Sequence, residues 1–480
     1  MATAPGTSVR GREERTDAPV VRGALWGLGV GAVLLAAALA VPVVTGIRVR
    51  SGGAPPLLGD WVLRYGPSSA VAVALVVLGV VPSVRARVAA TPWRTLLALT
   101  WPVAVVWMVS LALVDGVEGL GVILDHGTEY LQSARMVDDV GELLRTYVAR
   151  IPLDSADNLA VHLAGHPPGA VLMFVGLVRL GLGSYVAAGL VIVAIGATVP
   201  AAVALTLDRL GSRDAARAAL PFLVVGPSAV FMAVSADAVF TATAAWGMAA
   251  LAASCAARGT RRRWVWAVVA GLLLGWCLME SYGLVLLAVL ALAVLASAPG
   301  AVRSRASVAA VAGGVAVAVV VAFALLGFAW WEAFPVLRER YWAGIAGTRP
   351  GWYWVFGNLG ALLLCAGPML AAGLGAGAAR IRRVAAGRPP RPWIGRIRAV
   401  GDPHEVRAGA VGALVVAGAA MVLVADLSQM SRAEVERIWL PFVPWLLLSV
   451  AWLPPRWQRW GLLAQGVTAL LVQHLVHTPW

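Results

Sequence analysis

Lysine is missing from this chain of 480 residues, so all 38 of its cationic side chains are arginines. Acids are scarce as well, at 24, and charged residues of both signs make up only 13% of the sequence. So little charge cannot clothe a large soluble domain. With 60% hydrophobic residues and a mean hydropathy of +0.82, the chain falls in the membrane class. The lysine gap, beside abundant Ala, Gly, Pro and Val, reads as a high-GC coding bias. Cysteine is nearly absent: Cys255, Cys277 and Cys365 lie in or beside apolar segments with no metal or redox spacing, and read as packing residues. No convincing repeat and no soluble domain of useful size is visible.

A net charge of +14 and a pI near 11.0 would suit a nucleic-acid binder. Most arginines, however, sit in short loops between apolar runs, where they set orientation in a bilayer. Nucleic acid is therefore not expected as a partner, and lipid is. The first 23 residues are polar and arginine-bearing, and the apolar run behind them is too long for a signal-peptide core. An uncleaved first helix is expected rather than cleavage at "ALA", residues 38–40.

Apolar windows long enough to span run over 24–45, 67–83, 95–114, 184–207, 217–235, 238–256, 264–279, 283–298, 307–329, 357–378, 409–427, 438–453 and 460–476, with a shorter one at 167–181. Backbone polar groups in lipid must be satisfied internally, so these are helices. The expectation is an all-α, polytopic membrane helical bundle with about 13 transmembrane helices. It divides into an N-terminal tail (1–23), N-terminal transmembrane helices (24–114), a loop (115–166) and a helical bundle with short loops (167–480).

Arginine sets the orientation. Loop 379–408 holds Arg380, Arg382, Arg383, Arg388, Arg391, Arg396, Arg398 and Arg407; loop 257–263 holds Arg258, Arg261, Arg262 and Arg263; the N-terminus holds Arg10, Arg12, Arg15 and Arg22. All three are predicted cytoplasmic, which puts 115–166 outside. One conflict follows: His166 and Asp237 both come out external, yet three apolar segments lie between them. One must fail to cross, either 167–181 or 217–235, which contains Pro221, Gly226 and Pro227.

The unusual polar residues then share the external face: Asp125, His126, Glu129, His162, His166, Asp237, Glu280, Arg338, Arg340, Arg349, Glu434, Glu436 and Arg437. Ionisable groups at membrane depth are costly and mark function. Each also has a purely structural reading. Asp125 and Asp237 suit helix N-caps, and Glu129 a solvated first-turn acid. His162 and His166 suit interfacial rings at a helix start, Glu436 and Arg437 a local ion pair. The Trp- and Tyr-rich stretch 330–356 suits an interfacial belt, although arginines beside aromatics also suit a phosphate and a sugar ring. From Thr128 to Val148 the apolar residues Leu131, Val137, Val140, Leu144 and Val148 recur at helical spacing, predicting one amphipathic helix on the outer leaflet. "HLAGH", 162–166, lacks the glutamate of a zinc HExxH and shows no third ligand.

Three stretches in order, "DHGTEY" (125–130), "GHPPG" (165–169) and Pro227 to Asp237, resemble the GT-C superfamily of membrane glycosyltransferases. They are most similar to the branch of protein O-mannosyltransferases and lipid A aminoarabinose transferases. That branch has an acid before Tyr in the first large external loop, a basic residue before "PPL" at a helix start, and an Asp opening a later helix. Here the acidic pair is split by "HGT", and Gly169 stands where Leu is usual. The resemblance implies a GT-C-like fold in a bacterial plasma membrane. It implies transfer of a sugar from a polyprenyl-phosphate donor to an extracytoplasmic glycan, lipid or protein acceptor, with the N-terminus cytoplasmic. It implies catalytic Asp125, Glu129 and Asp237, with Asp125 foremost. Substrate binding would fall to His162, His166, Glu280, Arg338, Arg340, Tyr341, Arg349, Glu436 and Arg437. The resemblance names no definite cofactor and leaves a divalent cation open. A transporter or flippase of a lipid-linked sugar is the alternative, but it should place polar or broken helices near the midplane. A non-catalytic assembly protein is the third.

Overall fold

The computed structural model describes residues 6–386 and 403–478. The expected cytoplasmic arginines Arg388, Arg391, Arg396 and Arg398 lie outside the described residues, as do the side chains of Arg10, Arg12, Arg15 and Arg407. The described chain is a helical bundle with one two-residue strand pair, Asp60–Trp61 antiparallel to Val476–His477. The protein is a polytopic membrane protein. Among the described residues seven helices are long and apolar enough to cross a bilayer, or nine if two bent pairs each count as one.

That number is below the thirteen windows of the sequence because several windows are broken. The run 438–453 becomes Val435–Ile438, Val443–Leu447 and a 3-10 turn to Trp452, interrupted where Pro444 enters. The run 357–378 becomes Gly351–Ala366 and Pro368–Arg383, bent by 105°. At the bend Gly367 has φ +81°, a conformation glycine reaches without Cβ strain. The freed backbone is resealed by Gln465 from the last helix. Its Nε2 donates to the Ala366 carbonyl at 2.8 Å, and its Oε1 accepts from the Met369 amide at 3.2 Å.

Contacts at helix ends define two poles. At one, Arg213 and Arg217 lie over the Trp93 ring at 5.5 and 5.6 Å. At the other, the strand pair sits beside Asp115, which pairs with Arg64. The helix Gly169–Arg179 has 11 residues, about 16 Å of rise against a hydrocarbon core of about 30 Å. Its Arg179 donates to the Asp138 carbonyl at 3.2 Å, so the helix ends beside the 115–166 segment from which it set out. The next stretch runs from Arg213 at the first pole to Asp237 at the second in two pieces, Arg213–Val224 and Ser228–Met232, broken at Gly226 and Pro227. Of the two stretches that the His166–Asp237 parity left open, 169–179 is the short one and 213–232 the broken one.

Two other expectations are corrected. The amphipathic stretch 128–148 is two short helices, Tyr130–Arg135 and Val140–Thr146. The break falls where Asp139 caps the second helix, its carboxylate accepting from the Gly141 amide at 2.7 Å. Leu131, Leu144 and Tyr147 bury into the bundle core rather than lying on a leaflet. The aromatic stretch 330–356 is helical too, as Trp330–Ala343 and Ile345–Thr348. It is interrupted at Arg349, where the following Pro350 disfavours helix, and resumes with Gly351–Ala366. Cys255, Cys277 and Cys365 are buried and unbridged.

Candidate functional site

His162 sits on the short helix Val161–Gly165, which ends with His166 extended at φ −130°, ψ 154° as Pro167 requires. Three bonds fix this turn. The His162 amide donates to the Thr128 carbonyl at 3.1 Å. The buried Tyr147 hydroxyl meets the carbonyls of Leu163 and His166 at 2.7 and 3.1 Å. Both histidines are thereby brought against Tyr130, with His166 edge-on to its ring at 6.1 Å and Phe174 stacked on it at 5.2 Å.

The centre of the site is Arg437. Its Nη1 lies 3.1 Å from Glu129 Oε1, its Nε 3.3 Å from Asp237 Oδ2, and its Nη2 3.8 Å from Glu434 Oε2. Nη2 also donates to His162 Nδ1 at 3.1 Å, and His162 Nε2 is 3.3 Å from Glu129 Oε1. Because Arg can only donate, His162 Nδ1 accepts and its proton sits on Nε2, facing Glu129. Side-chain exposure is 5% for both Arg437 and Glu129 and 8% for Asp237, against 17% for His162 and 21% for Glu434. The last two form the outer edge. Three distant stretches thus converge on one guanidinium, joined by Glu434 from its own turn, at the pole where Asp237 opens its helix.

The electrostatics follow from burial. Glu129 is held above the usual carboxylate range by burial, with Arg437 pulling the other way. Burial works to lower the Arg437 guanidinium, but Asp237, Glu129 and Glu434 more than reverse it. His162 is driven well below its ordinary value by burial and by Arg437. Burial takes His166 down to about 4, against the bond its ring makes to the Glu280 carbonyl. That bond, at 2.9 Å, puts the His166 proton on Nδ1. Burial thus favours a neutral His166 ring, with Nε2 left as an acceptor.

Strained backbone flanks the cluster. Val234, three residues before Asp237, has φ +138°, and Ala433 and Glu434 have φ +73° and +64°. Such conformations cost about 1–3 kcal/mol each and gather at functional sites. Arg349 holds the second loop, donating to Glu434 at 3.2 and 3.3 Å, to the Arg432 carbonyl at 2.6 Å and to the Arg50 carbonyl at 3.2 Å. Tyr341 accepts from the Arg432 amide at 2.8 Å.

The other expected residues lie apart. Asp125 is a surface partner of Arg135, at 2.6 Å, and Arg135 also holds the Gly183 carbonyl. It neither caps the helix after it nor touches the cluster; the cap position belongs to Glu129, whose side chain turns inward instead. Arg340 clamps the 115–166 segment through the carbonyls of Ile151 and Leu159, the latter at 2.9 Å. Arg338 is exposed on the same helix. Glu280 is buried against Thr243, 3.0 Å from its hydroxyl. Glu436 is no local partner of Arg437: it is buried, accepts from the Leu58 amide at 3.1 Å, and is pushed up to about 7 by burial. Neighbours in sequence on a helix face different ways, whereas i,i+3 pairs meet. That spacing points to Glu434, which sequence reasoning placed on this face without giving it a role. Among the described residues no group of three or more His, Cys, Asp or Glu is arranged to hold a metal ion.

The class these features define is a polytopic membrane protein with a buried cluster of ionisable groups at one pole. No family model matches the chain, and neither a curated protein nor a solved structure matches it.

Proposed function

We propose that this protein is a membrane glycosyltransferase that moves a sugar from a polyprenyl-phosphate donor to an acceptor hydroxyl at the extracytoplasmic pole. The observation that carries this reading is the buried Glu129–Arg437–Asp237 cluster, edged by His162 and Glu434. Glu129 is the general base: it fills the acid slot directly before Tyr130, and burial raises its proton affinity. In the step, the acceptor oxygen bonds to the anomeric carbon as its proton passes to Glu129. The bond from that carbon to the phosphate oxygen breaks, and polyprenyl phosphate leaves with the electron pair. Arg437 would exchange its loosest partner, Glu434 at 3.8 Å, for the donor phosphate, while Asp237 keeps it in place. Arg338, exposed on the helix that Arg340 ties to the 115–166 segment, would be open to the donor headgroup. The arginines near Trp93 at the far pole support a cytoplasmic placement for that end and for the N-terminus. The GT-C-like arrangement and the larger number of crossings belong to this reading. A lipid-linked sugar transporter is the second reading, favoured by the helix breaks at Gly226–Pro227 and Gly367, although Gln465 occupies the freed backbone at Gly367.

Membranes carrying the protein, incubated with labelled polyprenyl-phosphate sugars, test it. Glu129→Gln should lower transfer by about 10²-fold or more, and Asp125→Asn should leave it near wild type. The opposite pattern would return the base to Asp125. No transfer by wild type from any donor would refute the enzyme.

A further inference from the structure

At the pole of Trp93 the chain turns a corner. Val81 precedes Pro82 and is extended, as a residue before proline prefers, and the helix Pro82–Ala90 leaves Ser68–Val80 at 72°. None of its nine residues is buried, and its charges are Arg85 and Arg87. Its far end is pinned at this pole by Arg217, which donates to the Thr91 carbonyl at 2.9 Å. The helix before the corner is seated backbone-close on the last helix, Pro455–Leu475: a Cβ on Gly466 would meet Val76 at 2.5 Å. The turned helix therefore lies against the start of the last one, where Arg85 donates to the Gln458 carbonyl at 3.5 Å. The next residue, Arg459, holds its guanidinium over the Trp460 ring at 4.8 Å, and Trp460 is 61% exposed.

Arg85 and Arg459 thus stand close enough to repel each other. Like charges held together are unfavourable unless an anion joins them. Among the described residues no acid pairs with Arg85, Arg87, Arg456 or Arg459, and the Arg459 Nε is buried without an acceptor. Asp208 and Asp214 stand by Arg213 instead. Pro454 gives the last helix no side-chain cap, so the positive end of its dipole adds to the field. From this corner Trp460, Val467 and Leu471 lie exposed along one face of the last helix. They span eleven residues, about 16 Å, close to the depth of one leaflet (half of a core of about 30 Å).

We propose that this corner binds an anionic phospholipid of the surrounding bilayer, its phosphate between Arg85 and Arg459 and one acyl chain along Trp460, Val467 and Leu471. The phosphate turns a repulsion between two arginines into two charge-assisted contacts. A zwitterionic lipid would bring its own cation against them. The corner lies at the pole opposite Glu129, so lipid binding there is independent of the proposed glycosyl transfer.

The test uses the full chain purified in detergent. Native mass spectrometry compares phosphatidylglycerol with phosphatidylcholine of identical chains. A one-to-one phosphatidylglycerol adduct is expected, at least about tenfold preferred. Each arginine near a charged headgroup contributes about fivefold in binding. Arg85→Gln with Arg459→Gln should therefore weaken the adduct about 25-fold, while Arg261→Gln with Arg262→Gln should leave it intact. Free glycerol phosphate in hundredfold excess should not displace the lipid, because it lacks the chain. Thermal unfolding supplies a second reading. Without lipid the Arg85/Arg459 double variant, relieved of the repulsion, should unfold no earlier than wild type; with phosphatidylglycerol wild type should gain and overtake it. Equal retention of both lipids, equal loss in the two arginine pairs, displacement by glycerol phosphate, or a double variant that is weaker by the same margin with and without lipid would each overturn the proposal.

Discussion

Arg437→Met isolates what holds the cluster together, because methionine keeps bulk and removes only the charge and donors. In the native protein one guanidinium faces Glu129 at 3.1 Å, Asp237 at 3.3 Å and Glu434 at 3.8 Å. At an effective dielectric of about 20, each of the two closer contacts is about 5 kcal/mol of attraction, most of it offset by the desolvation of both partners. Removing one member of such a pair leaves buried charge uncompensated, at about 3–5 kcal/mol. A loss near 4 kcal/mol at pH 8.5 is expected. The loss should shrink with acidity. Glu129 already binds its proton more tightly folded than unfolded, and without Arg437 it will do so more strongly. A carboxyl raised on folding adds its penalty as pH climbs from the unfolded value, about 4.3, through the folded one, and the penalty vanishes below both. Unfolding of purified wild type and variant in mixed micelles, at pH 5.5 and 8.5, measures the difference. A deficit under about 1 kcal/mol, or one identical at both pH values, would show that the cluster does not bear this electrostatic load.

Three further outcomes follow from the same geometry. Glu436→Gln should match wild type or fall slightly below it at pH 5 and exceed it above pH 8: burial lifts Glu436 to about 7, so wild type carries an ionisation penalty of at most about 4 kcal/mol at high pH, readable in the same unfolding titration. Arg340→Ala frees the carbonyls of Ile151 and Leu159, two charge-assisted bonds of about 1.5–3 kcal/mol each, and should raise protease cutting within 150–160 while leaving the helix Ala236–Ala256 protected. Gly367→Ala puts a Cβ 2.0 Å from Gln465 Oε1 at φ +81°, and should lower stability by more than 1 kcal/mol, whereas Gly313→Ala, where nothing lies within 4 Å, should not.

The sequence by itself determined the class of this protein. Scarce charge and long apolar windows leave helices in a bilayer as the physical solution, because lipid cannot hydrogen-bond a bare backbone. The order of apolar runs and arginine loops also led to the expectation that the polar residues share one face, and of these Glu129, His162, Asp237, Glu434 and Arg437 meet. The helix breaks at Pro227 and Pro167 were legible for the same local reason. What the sequence could not determine is which acids meet. Asp125 and Glu129 stand four residues apart in one loop, yet one turns out to Arg135 and the other turns in. The difference is made by a partner 308 residues away, Arg437, whose direction depends on how the strained loop at Ala433 and Glu434 is packed. The charge state of the histidines was hidden likewise. A ring at a helix start is ordinarily free to bind a proton, and burial, with Arg437 alongside, disfavours that proton at His162 and His166, the Glu280 carbonyl opposing the effect at His166. Pairing and burial are long-range properties of a packed core, so only the tertiary structure decided them.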